Sequence, residues 1–138
     1  MDNTILLTIS ILILIAILFV MARINSRRVP QKKKEKIYER LEEIRLQVQS
    51  EDVYARRDAI IKLDNLLSKA LQVRYRNEKS CGDNLKMAKN LFRKDTYQNL
   101  WDAHKLRNNI VHKDEDIGYD EAQQAYKVYK MAINKILQ

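Results

Sequence analysis

Two glycines, one proline, one cysteine, one tryptophan and two histidines are all that the 138 residues contain of these types. So little glycine and proline leaves few tight turns and no glycine-rich loop to cradle phosphates. Neither a Walker loop nor a dinucleotide fingerprint is present. No nucleophile elbow and no zinc-ligand spacing occur either. Cys81 stands alone, which excludes an intrachain disulfide framework and suits a reducing compartment; beside Gly82 it reads as a loop residue or a helix-end contact. No stretch alternates apolar and polar residues as a half-buried strand would. The expected class is all-α, with no cofactor and no metal.

What is present begins with a long apolar run. Asn3–Ala22 carries no charge and is dominated by Ile and Leu. At a rise of 1.5 Å per residue such a run makes about 30 Å of helix, enough to cross the hydrocarbon core. A cleavable leader is the competing reading, with Val20-Met21-Ala22 as its small-residue site. Asp2, however, sits where a positive n-region belongs, and the run is longer than a usual h-region. Residues 1–22 are therefore expected to form a single transmembrane anchor.

Arg23, Arg27, Arg28, Lys32, Lys33, Lys34 and Lys36, against Glu35, place six of the eight net positive charges in residues 23–36. With Asp2 ahead of them, residues 37–138 carry only +3. The one-sided cluster orients the C-terminal side to the cytoplasm: a cell-membrane protein, N-terminus outside and domain inside. The cluster also suits anionic lipid headgroups, and is a poor argument for nucleic-acid binding by the domain itself.

Residues 23–50 read as a basic connector and a stalk helix. Ile37, Leu41, Ile44 and Val48 make a helical stripe on a charged segment, which could continue a stalk, pack on a bundle or pair with itself. Residues 51–138 read as the bundle. Ser50 is the expected cap of a helix whose stripe is Ile60, Asp64, Leu67 and Leu71, flanked by Ile61, Leu63 and Leu66. Cys81-Gly82 is the expected turn, and Asp83 the cap of a short helix bearing Leu85, Ala88, Leu91 and Phe92. Asp95 or Thr96, with Gln98, is expected to cap a helix whose apolar face is Leu100, Ala103, Leu106, Ile110 and Val111. After a charged turn, Asp120 with Gln123 caps the last helix, whose inner face is Ala122, Tyr126, Tyr129, Ile133 and Ile136. Its tyrosines read as core aromatics with a polar tip rather than as stacking platforms for bases. Short connections imply an antiparallel four-helix bundle from about Val53 to Leu137.

Two residues break these stripes with opposite charge. Asp64 and Arg107 each occupy a core-facing position, which is costly unless each meets the other or a ligand. They are expected to approach within salt-bridge distance. His104, Asn108 and His112 form a polar ridge beside Arg107; His104 reads as a solvated or capping histidine, and Trp101 as cover for the bundle edge.

Arg107-Asn108-Asn109-Ile110-Val111-His112 resembles the signature of the HEPN superfamily (higher eukaryotes and prokaryotes nucleotide-binding domains): Arg, a polar residue, then His after a short spacer. Leu100-Trp101-Asp102-Ala103-His104-Lys105-Leu106 and the helix that follows are similar to small bacterial members, and the likeness covers roughly Val53 to Leu137. It implies a HEPN-like bundle. Many such proteins are metal-independent endoribonucleases, and others are non-catalytic interaction or nucleotide-binding modules. Carried over, His112 would be the acid or base, Arg107 the phosphate stabiliser or active-site organiser, and Asn108 an orienting residue; Asp64, as the partner of Arg107 on the opposite stripe, would support them. One histidine per motif implies a homodimer. The implied function is a membrane-tethered endoribonuclease acting on single-stranded RNA. The alternative is a non-catalytic membrane-anchored module with an unidentified protein partner. The intact motif favours the first, and the weakly charged domain the second.

Overall fold

The computed structural model describes residues 2–138, and among them there is no strand. The helices are α1 (Asn3–Arg27), α2 (Gln31–Val48), α3 (Val53–Tyr75), α4 (Cys81–Met87), α5 (Lys94–Lys113) and α6 (Tyr119–Leu137), with a single 3-10 turn at Lys89–Leu91. α1 contains an 18-residue window of mean hydropathy 3.2, none of it buried, and so is long and apolar enough to cross a membrane.

α3 is the centre of the bundle, with α2, α4, α5 and α6 all packed against it. Gln47 Nε2 donates to Asp58 and Arg57 Nη2 to the Ile110 carbonyl, so α2 and α5 both run antiparallel to α3. Arg56 Nε donates to the Ile117 carbonyl and Arg74 Nη1 to that of Ile136, so α3 and α6 run the same way. Consecutive long helices are thus antiparallel, and α3 and α6 meet across the middle. The expected inner faces are buried along α3 and α6: Ile60, Leu67 and Leu71 against Ala122, Tyr129, Ile133 and Ile136.

Several expectations need correction. The fourth long helix is α2, because α4 is only about two turns in length. Ile37, Leu41, Ile44 and Val48 are all buried in the common core, so α2 is not a free stalk. Val111 is exposed rather than core-facing. It lies on the same flank of α5 as His104, about two turns nearer the end of the helix.

The helix starts shift by two or three residues. Asp52, not Ser50, caps α3 by accepting from the Tyr54 N–H. Ser80, not Asp83, caps α4 by accepting from the Asp83 N–H, which draws Cys81 and Gly82 into the helix rather than a turn. α5 starts after Arg93 and α6 after Gly118 with no side-chain cap; Gln98 bonds Asp102, and Gln123 reaches the Val48 carbonyl. Asp114, in the left-handed conformation (φ 54°), ends α5 and accepts from Arg57.

Candidate functional site

A polar centre lies where α3, α4, α5 and α6 converge. Asp64, 3 % exposed, comes from the middle of α3. Its Oδ1 accepts from His104 Nδ1 at 2.8 Å, and its Oδ2 lies 3.7 Å from Arg107 Nε. His104 and Arg107 are three residues apart on α5, so one turn presents both to the same carboxylate. The Tyr129 hydroxyl of α6 lies 3.0 Å from Asp64 Oδ1 and 2.9 Å from the Ala103 carbonyl, within reach of two acceptors for one proton. Burial, and then the Asp64 charge, push the Tyr129 hydroxyl well above its ordinary range, so it stays a donor.

Arg107 therefore does approach Asp64 as its misplaced charge implied, but without a hydrogen bond. Its Nη1 instead donates to Asn108 Oδ1 at 3.0 Å. Among the described residues its Nε is the only buried side-chain nitrogen or oxygen with no hydrogen-bond partner. The guanidinium is thus strung between a buried carboxylate and the neighbouring amide, with its buried Nε–H unspent.

His104 overturns its expected role. It is neither solvated nor capping: its side chain is 13 % exposed and held by Asp64. Trp101 meets its ring edge-on at 5.7 Å and Tyr97 at 6.2 Å, so the tryptophan covers the histidine as well as the bundle edge. Asp64 takes the proton-bearing Nδ1, which turns Nε2 towards Gly82, about where a β-carbon there would touch it. The signal for this was angular. His104 lies only about 40° round the helix from the buried Leu100.

His112 behaves differently. It is exposed in the last turn of α5, five residues and roughly 140° round the helix from Arg107. A basic side chain suits that last turn of the helix. Arg107 and Asn108 are half-buried. Within one chain the motif therefore brings Arg107, Asn108, His104 and Asp64 together, and leaves His112 on the outer edge.

Sequence reading also missed what fixes α4. Asn77 and the fully buried Asn84 exchange amide hydrogen bonds of 2.8 and 2.9 Å. That clamp holds Cys81 against the centre. One donor atom each from Asp64, Cys81 and His104 lie within 4.8 Å of one another. The set does not fit a resident metal well. Burial and the Asp64 charge push the Cys81 thiol far up, His104 Nδ1 already occupies Asp64, and Arg107 places a cation alongside. It reads instead as a polar core that ties four helices together.

No family model, curated protein or solved structure matches the chain.

Proposed function

We propose that the chain is a single-span, membrane-tethered HEPN-like module whose α5 motif cleaves single-stranded RNA without a metal. The observation that carries this reading is Arg107: a half-buried guanidinium anchored by Asp64 and Asn108, next to the motif's Asn on the helix that carries His112 at its end. RNA cleavage of this kind uses the substrate's 2′-hydroxyl as nucleophile. A base takes its proton, an acid protonates the departing 5′-oxygen, and a cation stabilises the charge on the phosphorane. Arg107 is the cation and Asn108 orients the substrate. In a homodimer the two His112 side chains, one per chain, are base and acid. Asp64, His104 and Tyr129 lie beneath and position Arg107.

The fold supports access to RNA. α1 meets the end of the bundle where α3 finishes, whereas His112 lies at the end where α3 begins, near Arg57 and Asp114. With the basic cluster on the cytoplasmic side, the motif faces away from the membrane. The test is incubation of the full chain, in detergent or reconstituted, with single-stranded RNA and DNA in excess chelator. RNA should be cut and DNA, which lacks the 2′-hydroxyl, left intact.

One observation favours a second reading, a non-catalytic interaction module. The clefts described on the surface are lined by residues other than His104, Arg107 and His112; a smaller one, of about 310 Å³, lies beside α5 and is formed by Asn99, Asp102, Ala103 and Leu106 against α6. A chain that stays monomeric at every concentration and leaves RNA intact would support that alternative.

A further inference from the structure

Outside the polar centre, the most heavily charged feature of the molecule is the end of the bundle next to α1. Three adjoining clefts meet there, two of them of about 570 Å³ and 760 Å³, between the end of α1, the start of α2 and the end of α3. Six cations line them: Arg28, Lys33, Lys34, Lys69, Arg74 and Arg76. Against them the lining residues offer one acidic side chain, Glu78, and the α-carboxylate of Gln138, which leaves the clefts net positive. Among the described residues none of the six is in an ion pair, although Arg40, Arg45, Arg57, Lys62 and Lys86 elsewhere all are. Six unneutralised cations around one cleft repel each other, and an anion between them relieves that repulsion.

The placement of the clefts says which anion. Ile24 and Arg28, on their rim, lie only about 3 and 9 Å along the chain beyond Ala22, where the uncharged run ends. The polar layer of a bilayer extends roughly 5–7 Å beyond each face of the hydrocarbon core. With α1 across the membrane, Ile24 therefore falls within that layer and Arg28 just beyond it, so the clefts open at its outer edge. Ile24, Val29 and Tyr75 give the cleft nearest α1 an apolar wall, Arg76 lines all three clefts, and Lys33 and Lys69 line the one that has no residue from α1. Arg74 is held in place by donating to the Ile136 carbonyl at 2.7 Å, and Arg76 ends α3 in the left-handed conformation with its side chain exposed. Fixed cations on folded elements distinguish this arrangement from a flexible polybasic tether.

We infer that the membrane-proximal end of the bundle, where Arg28 and Lys34 face Arg74 and Arg76, is a binding site for the phosphate headgroup of an anionic phospholipid. The site rests on the transmembrane reading of α1, and would hold the bundle at a set orientation to the bilayer.

The test uses the full chain reconstituted in vesicles of phosphatidylcholine alone or with phosphatidylglycerol. Flotation with the vesicles reports the anchor, and backbone hydrogen exchange over residues 69–78 reports the site. Exchange there should slow several-fold only when phosphatidylglycerol is present. Lys34→Gln with Arg76→Gln should abolish that slowing, whereas Lys32→Gln with Lys36→Gln, equal in charge but outside the clefts, should keep it. Equal loss in both double variants would show diffuse attraction and overturn the site, as would exchange indifferent to lipid. The same slowing by inorganic phosphate over phosphatidylcholine vesicles would overturn the lipid assignment. Failure to float with any vesicle would sink the transmembrane reading and this site with it; flotation without the lipid effect sinks the site alone.

Discussion

His104 and Asp64, forty residues apart in sequence, meet through a 2.8 Å hydrogen bond between Nδ1 and Oδ1 inside the bundle. That bond makes Asp64 the hub of the polar centre. His104, Tyr129 and Arg107 all converge on it, while Arg107 has Asn108 and partial solvent access besides.

The two charges should therefore be unequal in stability. Asp64→Asn strands a cation and disturbs two hydrogen bonds, and should cost about 3 kcal/mol. Arg107→Met leaves Asp64 still bonded to His104 and Tyr129, and should cost nearer 1 kcal/mol. Urea unfolding of both variants checks this; equal losses would mean that Arg107, not His104, is Asp64's principal partner.

Tyr129 should respond as a donor rather than as bulk. Tyr129→Phe keeps the ring and removes the hydroxyl that reaches Asp64 and the Ala103 carbonyl. Its expected cost is about 1–2 kcal/mol with helix content unchanged, since buried acceptors lose a partner without a cavity forming. A neutral result by thermal and chemical unfolding would show that neither acceptor depends on that hydroxyl.

Alkaline pH should loosen the bundle in two stages. Burial first, and Asp64 next, raise the Cys81 thiol from an ordinary 9.0 and the Tyr129 hydroxyl from an ordinary 10.0. Once the pH passes those ordinary values, the unfolded chain releases protons that the folded chain retains. The unfolded state then binds fewer protons, so stability falls as pH rises. The contribution is intact below about pH 8.5 and declines by up to about 1.4 kcal/mol per pH unit for each group. Cys81→Ala should move the onset of the decline from near 9 to near 10. Melting curves across this range decide it; an onset unmoved by the substitution would mean that the thiol titrates freely in the folded state.

Much of the fold was legible in the sequence. The inner face of α6 repeats at helical spacing from Ala122 to Ile136 without interruption, and is buried throughout. Asp64 and Arg107 were visible as opposite charges on two apolar stripes. α2 was not decidable, because Ile37, Leu41, Ile44 and Val48 would look the same packed on a bundle or on a second copy. The cap of α4 was misplaced because Ser80 and Asp83 both satisfy the same local rule; burial of Asn84 against Asn77 selects the earlier start. His104 was misread because a polar ridge and a buried flank differ by less than one residue's arc. Its cover is Trp101 together with the short α4, which periodicity cannot place in space.

The most direct measurement is the cleavage of single-stranded RNA by the full chain in excess chelator, comparing wild type with His112→Ala. His112 is exposed at a helix end, so its truncation should leave the melting temperature unchanged. Wild type is expected to leave 2′,3′-cyclic phosphate ends and to lose activity on dilution, and His112→Ala to retain little cleavage. Cleavage that survives His112→Ala, or that needs a divalent ion, would contradict the proposed chemistry.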